Sequence, residues 1–178
     1  RVGVIRVDDP KVRSDVAAFI DQFGADFRGE LREVERSISS ELESNLAVEA
    51  VHDKRVNLPS GGYIVIEKTE AMTTVDVNSG GNLGQKNLSA TALQTNLEAT
   101  VAISRHLRLR NIGGLTVVDF IDMASDQDEG KVAAKMKELC ASDRLHCQVS
   151  DMLPFGLLAI SRSRVGLPLD VAMDVAED

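Results

Sequence analysis

The segment Leu115-Thr-Val-Val-Asp-Phe-Ile121 constrains the fold more than any other. A run rich in β-branched residues, following a Gly113-Gly114 break, reads as a buried central strand. The 24 residues before the break, 87–110, carry Leu93, Leu97, Val101 and Leu107 along one helical face. Upstream again, Tyr63–Lys68 and Ala71–Val77 read as two strands joined by a tight Thr69-Glu70 connection. Strands and helices interleave along the chain, so the expected class is α/β.

The remaining elements are weaker. Residues 3–8 alternate as a short strand, and Asp9-Pro10 opens a helix with Asp9 as N-cap, stopped at Gly24. Residues 28–50, with Leu31, Val34, Ile38, Leu42 and Leu46 on a narrow stripe, read as helix. Ser125 or Asp126 can cap a further helix whose stripe is Val132, Met136 and Leu139. Short strands are expected near His146–Val149 and Leu157–Arg162. The turn Leu58-Pro-Ser-Gly-Gly62 is the best boundary, dividing a small part, 1–57, from a main domain, 58–166, with an acidic tail at 167–178.

One carboxylate stands inside the apolar run. Asp119 is expensive in a buried strand unless it is paired, hydrogen-bonded or metal-bound. A second candidate lies in Thr73-Thr-Val-Asp-Val-Asn-Ser79. There Asp76 and Asn78 alternate with Val75 and Val77, so they face away from the core at a strand end. Two carboxylates on adjacent strands would repel, and a divalent cation between them removes the conflict. Oxygen ligands of this kind suit Mg²⁺, with Mn²⁺ the alternative. The plain structural alternative is that Asp76 starts a turn and Asp119 accepts backbone or arginine hydrogen bonds. Asp122 is more simply a loop or capping residue.

Composition leaves the partner open. The formal net charge is −8, which by itself opposes nucleic-acid binding, yet Arg105–Arg110 and Ser161–Arg164 are locally basic. Lys86, Arg108, Arg110, Arg162 and Arg164 are the candidate contacts should the partner carry phosphate, guanidinium being suited to it. Cys140 and Cys147 are not in a CxxC spacing and have no His cluster beside them, so reduced thiols and no zinc are expected. No apolar run approaches a membrane span, and the alternating residues 1–10 do not form a signal peptide. The chain opens on Arg and is read as a piece of a longer protein.

Several motifs together resemble the ribonuclease E/G family. They are Leu58-Pro-Ser-Gly-Gly-Tyr-Ile-Val-Ile66, Thr69-Glu-Ala-Met72, Val75-Asp-Val-Asn-Ser79, Thr95-Asn-Leu-Glu-Ala99, Arg108-Leu-Arg-Asn-Ile-Gly-Gly114, Val117-Val-Asp-Phe-Ile-Asp-Met123, Phe155-Gly-Leu-Leu158 and Ser161-Arg-Ser-Arg164. They fall in order over most of the chain. The resemblance implies a DNase I-like catalytic domain with a mixed sheet and flanking helices, preceded by part of an RNase H-like subdomain. It implies Asp76 and Asp119 as Mg²⁺ ligands, Asn78 beside them, and hydrolysis of single-stranded RNA. It also implies RNA processing and decay in a bacterial cytoplasm, or a plastid, with a homo-oligomer in the full-length protein. Pro154, Ala159 and Ser89-Ala90 depart from the family pattern, and the family's oligonucleotide-binding, 5′-end-sensing and zinc-sharing parts are not matched. A catalytically weak RNA-binding or scaffold module, or a DNA-directed phosphoesterase of similar fold, are the competing readings.

Overall fold

The computed structural model describes residues 3–35, 53–81, 88–169 and 171, and divides into two compact units, 1–50 and 51–178. In the smaller unit, β1 (Val4–Val7) and β2 (Glu30–Glu33) pair in parallel, Val4 opposite Glu30. They are joined by α1 (Pro10–Phe23). Asp9 caps this helix as its sequence predicts: its side chain accepts from Val12 N–H at 2.8 Å, and Gly24 N–H closes the last turn on Ile20. Glu30–Glu33 corrects the helical expectation for 28–50. Pairing with β1 satisfies this segment's backbone, and a single half-buried Leu31 is too little apolar surface to hold a helix there. The rest of that stretch, 36–50, lies outside the described residues.

The larger unit is built on a six-stranded sheet, in the order β3-β4-β5-β6-β8-β7. The strands are β3 (Arg55–Asn57), β4 (Tyr63–Lys68), β5 (Thr73–Asn78), β6 (Gly114–Asp119), β7 (Cys147–Val149) and β8 (Leu157–Arg162). Arg55–Asn57, on the N-terminal side of the Leu58 turn, thus belongs to the main sheet. Only β5 and β6 run parallel within it; the other neighbours are antiparallel. A parallel pair needs a long crossover, and α2 (Leu88–Leu109) supplies it. Between β6 and β7 comes α3 (Asp126–Ala141), capped by Ser125. The expected α/β class, with a mixed sheet and flanking helices, is what the chain adopts.

The core fills one side of the sheet. Ile64, Ile66, Val75, Val77, Val118, Leu158 and Ile160 point toward Ala99, Ile103 and Leu107 of α2 and Val132, Ala133 and Met136 of α3. The predicted stripe of α2 holds in part: Leu107 is buried and Leu93 and Leu97 pack half-buried against the core, but Val101 does not. Val101 is 49% exposed, whereas Thr95, Asn96, Ala99, Thr100, Ile103 and Leu107 are buried. The small and polar members of that stripe let the helix lie close to the sheet. The stop at its end is also specific. Asn111 takes φ 48°, Ile112 N–H bonds Leu107 C=O at 2.9 Å, and Asn111 N–H bonds Arg108 C=O at 3.2 Å. That is a Schellman closure with Asn in the left-handed position.

The opposite face of the sheet carries the alternate side chains: Tyr63 and Val65 on β4, Asp76 and Asn78 on β5, Val117 and Asp119 on β6, Leu157 and Ala159 on β8. These are half-buried or exposed.

Candidate functional site

Register decides the site. In the parallel β5–β6 pair, Asp76 stands directly opposite Asp119. Paired residues share a face, and neighbouring strands lie about 4.8 Å apart, so the two carboxylates are side by side. Both are exposed, and both sit at the C-terminal ends of their strands. In open α/β sheets that is where ligands bind. Asn78 lies on the same face, and its Nδ2 donates to Asp76 Oδ2 at 2.8 Å. The structure therefore brings Asp76, Asn78 and Asp119 together.

The surroundings hold these side chains in place. The Leu58–Gly62 turn closes on itself through Gly61 N–H to Leu58 C=O at 3.0 Å and Leu58 N–H to Gly62 C=O at 2.8 Å. Ser60 N–H then donates to Glu98 Oε2 on α2 at 2.8 Å. Burial pushes the Glu98 carboxyl up, but bonds from Gln94 and Ser60 outweigh it and keep that carboxyl below the usual range. Gly62 lies so close to Asn78 C=O and Thr95 that a Cβ there would come within 2.7 Å of the carbonyl oxygen. Gly80, at φ 66°, packs on the same turn. The turn and the helix thus grip the end of β5.

A second clamp holds the end of β6. Asn96, fully buried on α2, donates to Ile121 C=O at 2.8 Å and accepts from Ile121 N–H at 3.1 Å. Phe120 N–H bonds Gly156 C=O at 3.1 Å, tying the same segment to the start of β8. Neither Asn96 nor Glu98 is apparent from composition. The Thr95–Ala99 motif is the only sequence sign of them.

The candidate basic residues are placed elsewhere. Arg162 is 5% exposed, and its guanidinium is used inside the protein: Nε to Asp143 Oδ2 at 2.9 Å, Nη2 to Asp143 Oδ1 at 3.4 Å, and Nη1 to Ile112 C=O at 2.9 Å. Arg162 is thus a core ion pair, which leaves it no face for an RNA phosphate. Arg110 donates from Nε to His106 Nδ1 at 3.0 Å and from Nη2 to Asp53 C=O at 2.6 Å. Arg164 packs over Gly113 and Gly114. Arg108 is exposed and donates to Ser104 C=O. Gly114 pairs with Arg162 at the far end of β6, five residues from Asp119, about 17 Å by strand rise. The arginines therefore do not converge on the carboxylates. Lys86 lies outside the described residues. A cavity of about 390 Å³ also opens at that far end, bordered by Lys54, Lys68, Thr73 and Arg110, and it does not include Asp76 or Asp119.

The donor set fits a hard divalent cation. Two facing carboxylates and a neighbouring amide offer oxygen alone, and neither Asp makes an ion pair among the described residues. No group of three or more His, Cys, Asp or Glu suited to a metal occurs among the described residues. A set of two carboxylates and an amide oxygen is small, and Mg²⁺ is a cation that typically takes one or two carboxylates and leaves its other positions to water and phosphate. Cys140 and Cys147 are both free thiols, with Cys140 buried and pushed up to about 12 chiefly by that burial.

Comparison with known proteins bears on the chain as a whole. The family model described as the ribonuclease E/G family matches residues 1–165. Ribonuclease G of Haemophilus influenzae is 38% identical over 162 residues, 90% of this chain and 33% of that protein. Ribonuclease E of the same organism is 39% identical over 166 residues, 92% of this chain and 18% of that protein. Ribonuclease G of Salmonella typhimurium is 44% identical over 112 residues, 63% of this chain and 23% of that protein. The chain thus spans about a third or less of the length of the curated relatives it matches.

Proposed function

We propose, because this chain belongs to the ribonuclease E/G family, that Asp76 and Asp119 are the Mg²⁺ site of an endoribonuclease that hydrolyses single-stranded RNA. The observation that carries the reading is their register partnership at the ends of the only parallel pair in the sheet. A bound Mg²⁺ would activate water and neutralise charge on the phosphate. The chain's own residues do the rest. Asp76 and Asp119 concentrate negative charge at one point of an open face, which selects a divalent cation over a bare phosphate. Asn78 fixes the orientation of Asp76 through Nδ2 and leaves its amide oxygen for water or a ligand. The turn at Leu58–Gly62 and the Asn96 clamp hold both strand ends, so the carboxylates need little reorganisation. An open sheet face takes an extended strand with splayed bases, which is the form of RNA whose bases can be reached. The family resemblance implies 5′-phosphate and 3′-hydroxyl product ends, and a cellular role in RNA processing and decay in the cytoplasm. Among the described residues no helix is long and apolar enough to cross a membrane.

The test is a cleavage assay on single-stranded RNA and DNA, with Mg²⁺ or with chelator. Asp76→Asn and Asp119→Asn should each abolish RNA cleavage, by more than the roughly 10–100-fold typical of losing a residue that only supports a ligand. Circular dichroism should show both variants folded. Near-parental activity in either variant would remove that residue from the site. Retained RNA binding without any cleavage in the parental chain would favour the binding-module reading.

A further inference from the structure

Two aromatic positions, the exposed Phe155 and the half-buried Tyr63, bracket the carboxylate pair, and their local structure is unusual. Phe155 is 89% exposed, the most exposed large apolar side chain among the described residues. It lies in the one-turn 3-10 helix Pro154–Gly156 with φ 68° and ψ 26°. A bulky residue in the left-handed region is an outlier, and such strain persists where surrounding structure enforces it, often at ligand-binding sites. The enforcing contacts are visible: Gly156 C=O accepts from Phe120 N–H, and Leu153 N–H bonds Leu157 C=O at 2.8 Å. Leu157, two residues on, is the cross-strand partner of Asp119. The chain thus holds a strained, solvent-facing Phe beside one carboxylate.

The other side is matched. Tyr63 on β4 is the cross-strand partner of Asn78, and Val65 is the partner of Asp76. Arg55 on β3 pairs with Val65 and lays its guanidinium over the Tyr63 ring, 3.8 Å from the centroid. Asn57 Oδ1 accepts from Arg55 Nε at 3.3 Å and steadies it. Arg55 is exposed and makes no ion pair among the described residues, although Glu67 on the same face is bound to Lys54. One row across the sheet therefore reads Arg55, Val65, Asp76, Asp119, Leu157. The guanidinium stack closes one end and Phe155 the other. The larger unit has only one further aromatic, Phe120, and that one is core at 3% exposure.

We infer that Phe155 and the Arg55–Tyr63 stack are base-stacking subsites on either side of the reacting phosphate, resting on the endoribonuclease reading above. The chemistry recognised is a single-stranded polynucleotide with unpaired bases. Each base presents a π-face to an aromatic ring or to a guanidinium plane, which is sequence-tolerant. Arg55 adds the positive charge that the carboxylate pair lacks, and the four distant arginines cannot supply it. Tyr63 is the chain's single Tyr, and there is no Trp, so intrinsic fluorescence reports on this subsite alone.

The experiment uses the 178-residue chain with a short unstructured RNA, first in chelator so that nothing is cut. Tyr63 emission should change saturably as RNA is added, and Arg55→Ala should weaken the apparent affinity. Phe155→Gly should weaken binding of a dye-labelled RNA about five- to 100-fold, the range seen for losing one stacked base. Yet it should melt at or above the parental temperature, because glycine relieves the left-handed backbone. With Mg²⁺ present, Phe155→Gly and Tyr63→Ser should raise KM more than they lower kcat, and Tyr63→Phe should restore binding. If Phe155→Gly bound RNA like the parent, or lost binding only by unfolding, the Phe155 subsite would be overturned. Concentration-dependent self-association lost in Phe155→Gly, with RNA binding intact, would assign this residue to a protein contact and likewise overturn it. Cleavage that depends on Asp76 and Asp119 but ignores Phe155, Tyr63 and Arg55 would reject the stacking subsites and leave the nuclease. Stacking-dependent binding without cleavage would keep the subsites and reject the nuclease.

Discussion

Replacing Asn96 with Ala should loosen the carboxylate-bearing end of β6 and lower stability together. Asn96 is wholly buried and makes two hydrogen bonds to Ile121, one to each backbone polar group. Alanine leaves the Ile121 N–H and C=O without partners, and each orphaned group costs about 1–3 kcal/mol when buried. Ile121 itself is only half-buried, so water can reach part of the gap, and about 2–4 kcal/mol for the pair is the appropriate range. A loss of about 3 kcal/mol is a large share of the 5–15 kcal/mol of a typical domain and should lower Tm by roughly 10 °C. Thermal unfolding followed by circular dichroism measures the first effect, and amide exchange at Ile121 measures the second. Asn96→Leu keeps the volume but not the bonds, so it should be nearly as damaging as Ala. A loss below about 1 kcal/mol, unchanged protection of the Ile121 amide, or a harmless Leu variant would each refute the clamp. With RNA and Mg²⁺ the same variants should lose kcat with little change in KM, since Asp119 lies two residues upstream of the freed segment.

Breaking the Asp143–Arg162 pair with Asp143→Ala should destabilise by about 3–5 kcal/mol, because it strands a buried charge; Asp143→Ala with Arg162→Met should recover much of that in urea unfolding. Burial raises the Asp143 carboxyl, but the Arg162 bonds, the Leu145 N–H and the charges of Arg162 and Arg108 outweigh it and hold it below the ordinary value. Its contribution is therefore present above the unfolded aspartate range, about pH 4, and is lost as pH falls through the folded value, so Asp143→Asn should flatten stability against pH in acid. His106 is pushed down to about 4, first by burial and then by the charges of Arg110 and Arg105. The unfolded chain then binds more protons, so stability is full above about pH 6.5 and declines toward pH 4, by up to about 3 kcal/mol. A His106→Gln variant whose stability fell just as steeply between those values would show that another group titrates.

Local chemistry made some elements legible and others not. The Asp9 cap and the ends of β8 follow from residues acting on their immediate neighbours. The face of α2 follows only in part, because beside Leu107 its buried side is lined by Thr95, Asn96 and Thr100, which hydrogen-bond or pack closely where an apolar stripe would be sought. Likewise Glu30–Glu33 forms a strand because β1 offers it a partner, a non-local fact. Asp76, Asn78 and Asp119 were legible as strand-end polar groups, but their adjacency depends on a parallel register that no spacing rule specifies. Arg162 misleads by type: an arginine near a basic run reads as surface until Asp143, in another segment, is found beside it.

The parallel pairing of β5 and β6 has a consequence for the chain as it is made. Asp76 and Asp119 are separated in sequence by the whole of α2, and the end of β6 is fastened partly by Gly156 at the mouth of β8. A growing polypeptide can form β4, β5 and α2 early, since these contacts are comparatively local. It cannot set the two carboxylates against each other until β6 has emerged, nor fix them until the residues of β8 follow. An incomplete product of translation would therefore fold in part and leave the two carboxylates apart, so the site is assembled only after β8 has been made.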